Sequence, residues 1–141
     1  MMPRLQIWAA ALWWASLTTI GFLVVPMLFV HLPTPAMAGG MAAKLFTSQT
    51  WVSSSCGLVL LLLLNKRSNQ PPALIRRAQA AMLFIVAGMI LALLSEFAVA
   101  PRIVARDNLR LWHSVGSMLY LLQWVCAAVT FGKLMPPRQT D

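Results

Sequence analysis

Residues Leu5 to Val30 read LQIWAAALWWASLTTIGFLVVPMLFV, a run of apolar and small residues with no charge in it. At ~1.5 Å per residue such a run crosses ~30 Å of hydrocarbon with length to spare. It is also much longer than the ~7 to 15 residues of a signal-peptide core. The small-residue triplet Ala36-Met37-Ala38 before Gly39 therefore reads as part of the chain and not as a cleavage site, and Leu5 to Val30 reads as a permanent helix.

Three further apolar runs follow, and together they predict spans at about 5–30, 41–64, 78–98 and 111–132 within a single transmembrane domain. His31-Leu32-Pro33-Thr34-Pro35 should end the first, since proline lacks an N–H and restricts the residue before it. Pro26 should bend that helix near its last turn. The second span closes in the leucine-rich stretch Leu58 to Leu64. Lys44, Ser48, Trp51 and Ser55 recur along it at helical spacing, which predicts a face turned toward protein. In the fourth span His113, Ser117, Tyr120, Trp124 and Ala127 share a stripe, with Gln123 beside it, and the stripe is expected inside the bundle. No internal repeat is visible.

The expected fold is thus all-α, an integral membrane four-helix bundle running up-down-up-down. Composition agrees: 60% of the 141 residues are hydrophobic and 10% charged, outside the balance of a water-soluble globule. The net charge of +8 does not imply nucleic acid, because the basic residues sit between apolar runs and form no stripe with interleaved aromatics. They read as orientation and headgroup contacts. Arg4, Lys66, Arg67, Arg76, Arg77, Lys133 and Arg138 fall on one side, and Lys44, Arg102, Arg106 and Arg110 on the other. That asymmetry places both termini in the cytoplasm and the chain in a bacterial inner membrane as a multi-pass protein. Cys56 and Cys126 lie in apolar segments and read as small core residues.

This topology gathers the ionisable residues of the spans at one depth, near the outer leaflet: His31, Lys44, Glu96 and His113. Ionisable groups in a bilayer cost a few kcal/mol each and usually pair or face a cavity. The plainest reading is interfacial, with His31 and Lys44 reaching headgroups and Glu96 pairing with Arg102 or Arg106. The functional reading is a cofactor site. Imidazoles of His31 and His113 could offer axial nitrogens to haem b, while Lys44, Arg102, Arg106 and Arg110, with Glu96, line the same end and the cations neutralise propionates. Copper is the alternative cofactor, since Met27, Met37 and Met41 surround His31, and Met118 lies about one turn beyond His113. No nucleophile–base pair or phosphate-binding loop marks an enzyme, for Gly39-Gly40 stands alone.

The chain also resembles a known family. Gly21-Phe22-Leu23-Val24-Val25-Pro26-Met27-Leu28-Phe29, then Leu32-Pro33 and Ala38-Gly39 through Leu45-Phe46, are similar to the signature of the transmembrane-protein-205-like family, domain of unknown function 4149. Glu96-Phe97 with Pro101-Arg102, and Trp112-His113-Ser114 with Ser117, extend the likeness. More loosely, Pro26 to His31 is similar to the first helix of copper-resistance-D-like and HemJ-type membrane proteins, which implies haem before copper. The chain lacks a histidine early in the first helix, so that likeness implies no protoporphyrinogen oxidase activity. The expected function is a small inner-membrane haem-b-binding protein, for electron transfer or haem handling. The alternatives are a cofactor-free accessory protein and a copper-handling one. Small-residue faces at Ala9-Ala10-Ala11 and Gly116 leave room for a homodimer.

Overall fold

The computed structural model describes residues 2–65 and 72–136. Lys66, Arg67 and Arg138, which enter the charge asymmetry above, lie outside the described residues. The fold is all-helical, with no strand among the described residues. Four helices are long and apolar enough to cross a membrane: α1 (Arg4–His31), α2 (Pro35–Asn65), α3 (Pro72–Val104) and α4 (Leu109–Leu134). Each is longer than the span expected from hydropathy, and α2 and α3 gain length at their starts because a proline opens each of them. At a first helical position the missing N–H is no loss and the fixed φ suits the helix. Before α2, the Thr34 hydroxyl accepts a hydrogen bond from the Met37 N–H at 3.2 Å, an N-cap, and Pro35 follows it.

Two other prolines sit inside helices, and both leave the same mark. In α1 a π-helical turn, Ile20–Val24, precedes Pro26; in α3 a π-turn, Ser95–Val99, precedes Pro101. The Val25 N–H bonds the Ile20 carbonyl and the Ala100 N–H bonds the Ser95 carbonyl, each reaching back five residues. A proline ring clashes with the carbonyl four residues earlier, here that of Phe22 or Phe97, and widening the preceding turn relieves the clash without ending the helix. So α3 does not stop at Ala98 but runs through Pro101 to Val104. A local backbone feature is thus shared by two helices: five π-helical residues, one further residue and a proline occur in both α1 and α3.

The end of α3 is closed by a left-handed residue. The Asp107 N–H bonds the Arg102 carbonyl and the Arg106 N–H bonds the Ile103 carbonyl, both at 3.1 Å, with Arg106 at φ 56° and Asn108 at φ 41°. This is the Schellman arrangement, with Arg106 in the position that glycine usually holds.

The core joins Ala10, Trp13 and Leu17 of α1, Cys56, Leu60 and Leu64 of α2, Ala78, Ala81 and Ile85 of α3, and Ala127 of α4. Trp13 is fully buried, and it fits because α3 offers Gly88 beneath it. A Cβ at Gly88 would lie 2.7 Å from the indole ring. Ala10 is also fully buried, so the small residues of α1 serve packing within the bundle at that position.

Several buried polar groups bind one another. Gln49 Nε2 donates to Ser16 Oγ at 2.9 Å and to Ser53 Oγ at 3.2 Å, and Gln123 Nε2 donates to the same Ser53 Oγ at 2.8 Å. Trp124 Nε1 donates to Thr18 Oγ1 at 2.9 Å, and the Tyr120 hydroxyl to the Leu17 carbonyl at 2.7 Å. These bonds tie α1, α2 and α4 together where no water competes. Near the other end Gln6 Nε2 donates to the Leu63 carbonyl at 3.1 Å, and Arg77 caps α4 by donating to the Gly132 and Met135 carbonyls, each at 3.1 Å.

Two stripes named from spacing turn out otherwise. Lys44, Ser48, Trp51 and Ser55 are all exposed, and α2 instead buries Ala42, Gln49, Ser53, Cys56, Leu60 and Leu64. In α4 His113 and Ser117 are exposed; the stripe turns inward only from Tyr120, and Gln123, Ala127 and Thr130 are its buried members. Helical spacing identifies a face but not which neighbour it meets.

Candidate functional site

The end of α1, the start of α2, the end of α3 and the start of α4 come together at one end of the bundle, as the bond between Thr47 and Glu96 and the short connectors 32–34 and 105–108 require. All the site residues expected from sequence lie there. Of the two acidic residues among the described ones, Glu96 and Asp107, only Glu96 falls within a long apolar helix. It belongs to the π-turn of α3 and is half-buried.

Thr47 of α2 donates its hydroxyl to both carboxylate oxygens, at 2.9 and 3.1 Å. This corrects the expected pairing with Arg102 or Arg106: no basic side chain among the described residues binds Glu96. The Arg102 guanidinium carbon lies instead 4.5 Å from the centre of the Trp112 ring, a cation–π contact that ties the last turn of α3 to the first of α4. Arg106 and Arg110 are exposed, as is Lys44.

His31 and His113 are both exposed. His31 Nδ1 is 3.0 Å from the Met27 carbonyl of its own helix, so Nδ1 is the ring nitrogen that donates there. The last turns of α1 pack on α2, whereas the first turns of α4 pack on the end of α3. About two turns deeper along α4 than His113, the Tyr120 ring meets the Phe46 ring edge to face with centres 5.2 Å apart. Met27, Met37, Met41 and Met118 are exposed. Among the described residues no three His, Cys, Asp or Glu side chains gather where they could hold a metal ion.

Sequence reasoning missed Thr47 and the node at Ser53. Thr47 carries a weak signal, lying one turn beyond Lys44 on α2. Ser53 carries none, because serine is common among small residues in membrane helices and only its two glutamine partners set it apart.

Four long apolar helices around an internally bonded polar core define a small helical-bundle protein of the membrane-spanning class. A family model described as domain of unknown function (DUF4149) matches residues 8–111, and the chain belongs to that family. The match covers both π-turns and Glu96 and ends just before His113. It gives no support to a relation with transmembrane protein 205 or with copper-resistance-D-like and HemJ-type proteins. No curated protein and no solved structure matches the chain.

Proposed function

We propose that the protein is a multi-pass protein of the bacterial inner membrane, threaded up-down-up-down with both termini cytoplasmic. In this reading it is a cofactor-free accessory protein whose basic outer end meets an acidic surface of a membrane partner. The observation that carries it is the way polarity is divided: Ser16, Gln49, Ser53 and Gln123 bond one another inside, while Lys44, Arg106 and Arg110 stand exposed at one end. Interior groups spent on holding helices together leave that end as the surface for recognition. The test is photo-crosslinking in cells from position 106. A discrete adduct that disappears with Arg110→Glu and survives His31→Ala with His113→Ala supports the reading. A diffuse smear, or no adduct, defeats it.

A second reading keeps haem b, with His31 and His113 as axial ligands and Lys44, Arg102, Arg106 and Arg110 beside the propionates. It draws on the His31 contact with Met27, since a ligating histidine commonly donates its other ring N–H to a carbonyl. Protein purified from haem-supplemented cells should then show a Soret band that either histidine-to-alanine substitution removes. Absence of the band ends this reading and leaves the first untouched.

A further inference from the structure

The π-turn of α1 divides that helix into two parts that are held differently. Before it, Ala10, Trp13 and Leu17 are fully buried in the core. From Ile20 to His31 no residue is buried, so the arm Val25–His31 has no side chain locked in the core to fix its direction. That direction is set at the turn itself.

A side chain of another helix enters the turn. The Tyr120 hydroxyl of α4 donates to the Leu17 carbonyl at 2.7 Å, and the Gly21 N–H is directed at the same oxygen. In a regular α-helix Leu17 and Gly21 form one rung of the backbone ladder, carbonyl to the N–H four residues on. The phenol oxygen thus engages both groups of that rung, and a side chain inserted in the ladder is a recognised cause of a bend. Gly21 makes room for it. A Cβ there would collide with the Tyr120 ring and lie 3.0 Å from its hydroxyl. From α2 the Phe46 ring steadies the phenol, edge to face with centres 5.2 Å apart. The π-turn of α3 is built otherwise, with Glu96 where α1 has Gly21 and with Thr47 as its partner.

We propose that Tyr120 is a latch on a hinge: its hydroxyl holds the Leu17–Gly21 rung open and so fixes the direction of the arm that carries His31. With the latch released, the rung closes on itself and one residue of the turn returns to regular α geometry. The arm then turns by about 100° and shifts by about 1.5 Å along its axis, the increment of one residue. Pro26 bends the arm in either state, because its ring opposes the Phe22 carbonyl; the hydroxyl decides the rotation. The hinge does not rest on a partner at the basic end, since every contact that defines it lies within the chain.

The experiment uses the full chain in nanodiscs with both free cysteines replaced by alanine and nitroxide labels at Val30→Cys and Val104→Cys, two exposed positions at the same end of the bundle. Double electron–electron resonance reads the distance between them. Tyr120→Phe, which removes one oxygen, should move the mean distance by about 4 Å or more, as a one-residue rotation of the arm requires, while helical circular dichroism stays unchanged. Gly21→Ala should give the same displacement by expelling the ring. Trp124→Phe removes the neighbouring bond to Thr18 Oγ1 without touching the rung, and it should lower Tm yet leave the distance as it was. Tyr120 is the single tyrosine of the chain, so carbon-13 at its hydroxyl-bearing ring carbon reports on the latch in the unmutated protein. An unchanged distance in Tyr120→Phe, an equal displacement in Trp124→Phe, or a resonance matching an unbonded phenol would each overturn the assignment.

Discussion

Glu96 shows how far a single residue can be read. Its place near the far end of the third span is legible, but the π-turn that holds it and its partner are not. Arg102 and Arg106 are near in sequence, yet Arg102 is drawn over Trp112 and Arg106 turns the chain, while Thr47 arrives from a different helix. Replacing Thr47 with valine should therefore cost about 1.5 to 3 kcal/mol, the usual value of a hydrogen bond to a charged group, in denaturant or thermal unfolding. A loss below a few tenths would show the bond to be idle. At Arg106 the expectation has the opposite sign. Its φ of 56° is a conformation that glycine adopts without a steric penalty, so Arg106→Gly should stabilise by about 1 kcal/mol and Arg106→Val should destabilise. Equal Tm for both variants would contradict this account.

At the scale of the element, prolines mattered twice and in two ways. Pro35 and Pro72 stand at helix starts, where sequence suggested loops; Pro26 and Pro101 widen helices that sequence suggested would bend or stop. The difference lies in the preceding turn, which can expand to a π-turn when neighbouring helices hold it, and that support is a tertiary matter. Helix contact is also decided by small residues. Gly88 lets α3 approach the Trp13 indole, so Gly88→Ala should cost about 1 to 3 kcal/mol by overpacking and shift the tryptophan emission of the folded protein. An unchanged spectrum and Tm would mean that Trp13 has room to move.

For the molecule as a whole, cohesion rests on bonds that cross between helices. Ser53 receives both Gln49 and Gln123, so the pair Ser53→Ala and Gln123→Leu should show a coupling of about 0.6 kcal/mol in a double-mutant cycle, typical of such bonds in membrane proteins. Strict additivity would deny the link. Orientation has its own check. A cysteine placed at the exposed Asn108 should react with an impermeant thiol reagent added to intact spheroplasts, and one at Pro136 only after lysis. The reverse pattern would invert the proposed topology.

The linear chain by itself determined the number of helices, their apolar character and the end of the bundle to which His31, Lys44, Glu96 and His113 belong, because span length and a residue's place along its span are local properties. Only the tertiary structure decided which faces look inward. Each helix is apolar on nearly every side, since lipid and protein interior ask for the same side chains, and so no amphipathic stripe announces the inner face. Lys44, Ser48, Trp51 and Ser55 made a regular stripe and face outward; Gln49 and Ser53, one step round the same helix, hold the bundle together. The partner of a membrane carboxylate is likewise set by which helix comes to lie beside it, and that is a property of packing.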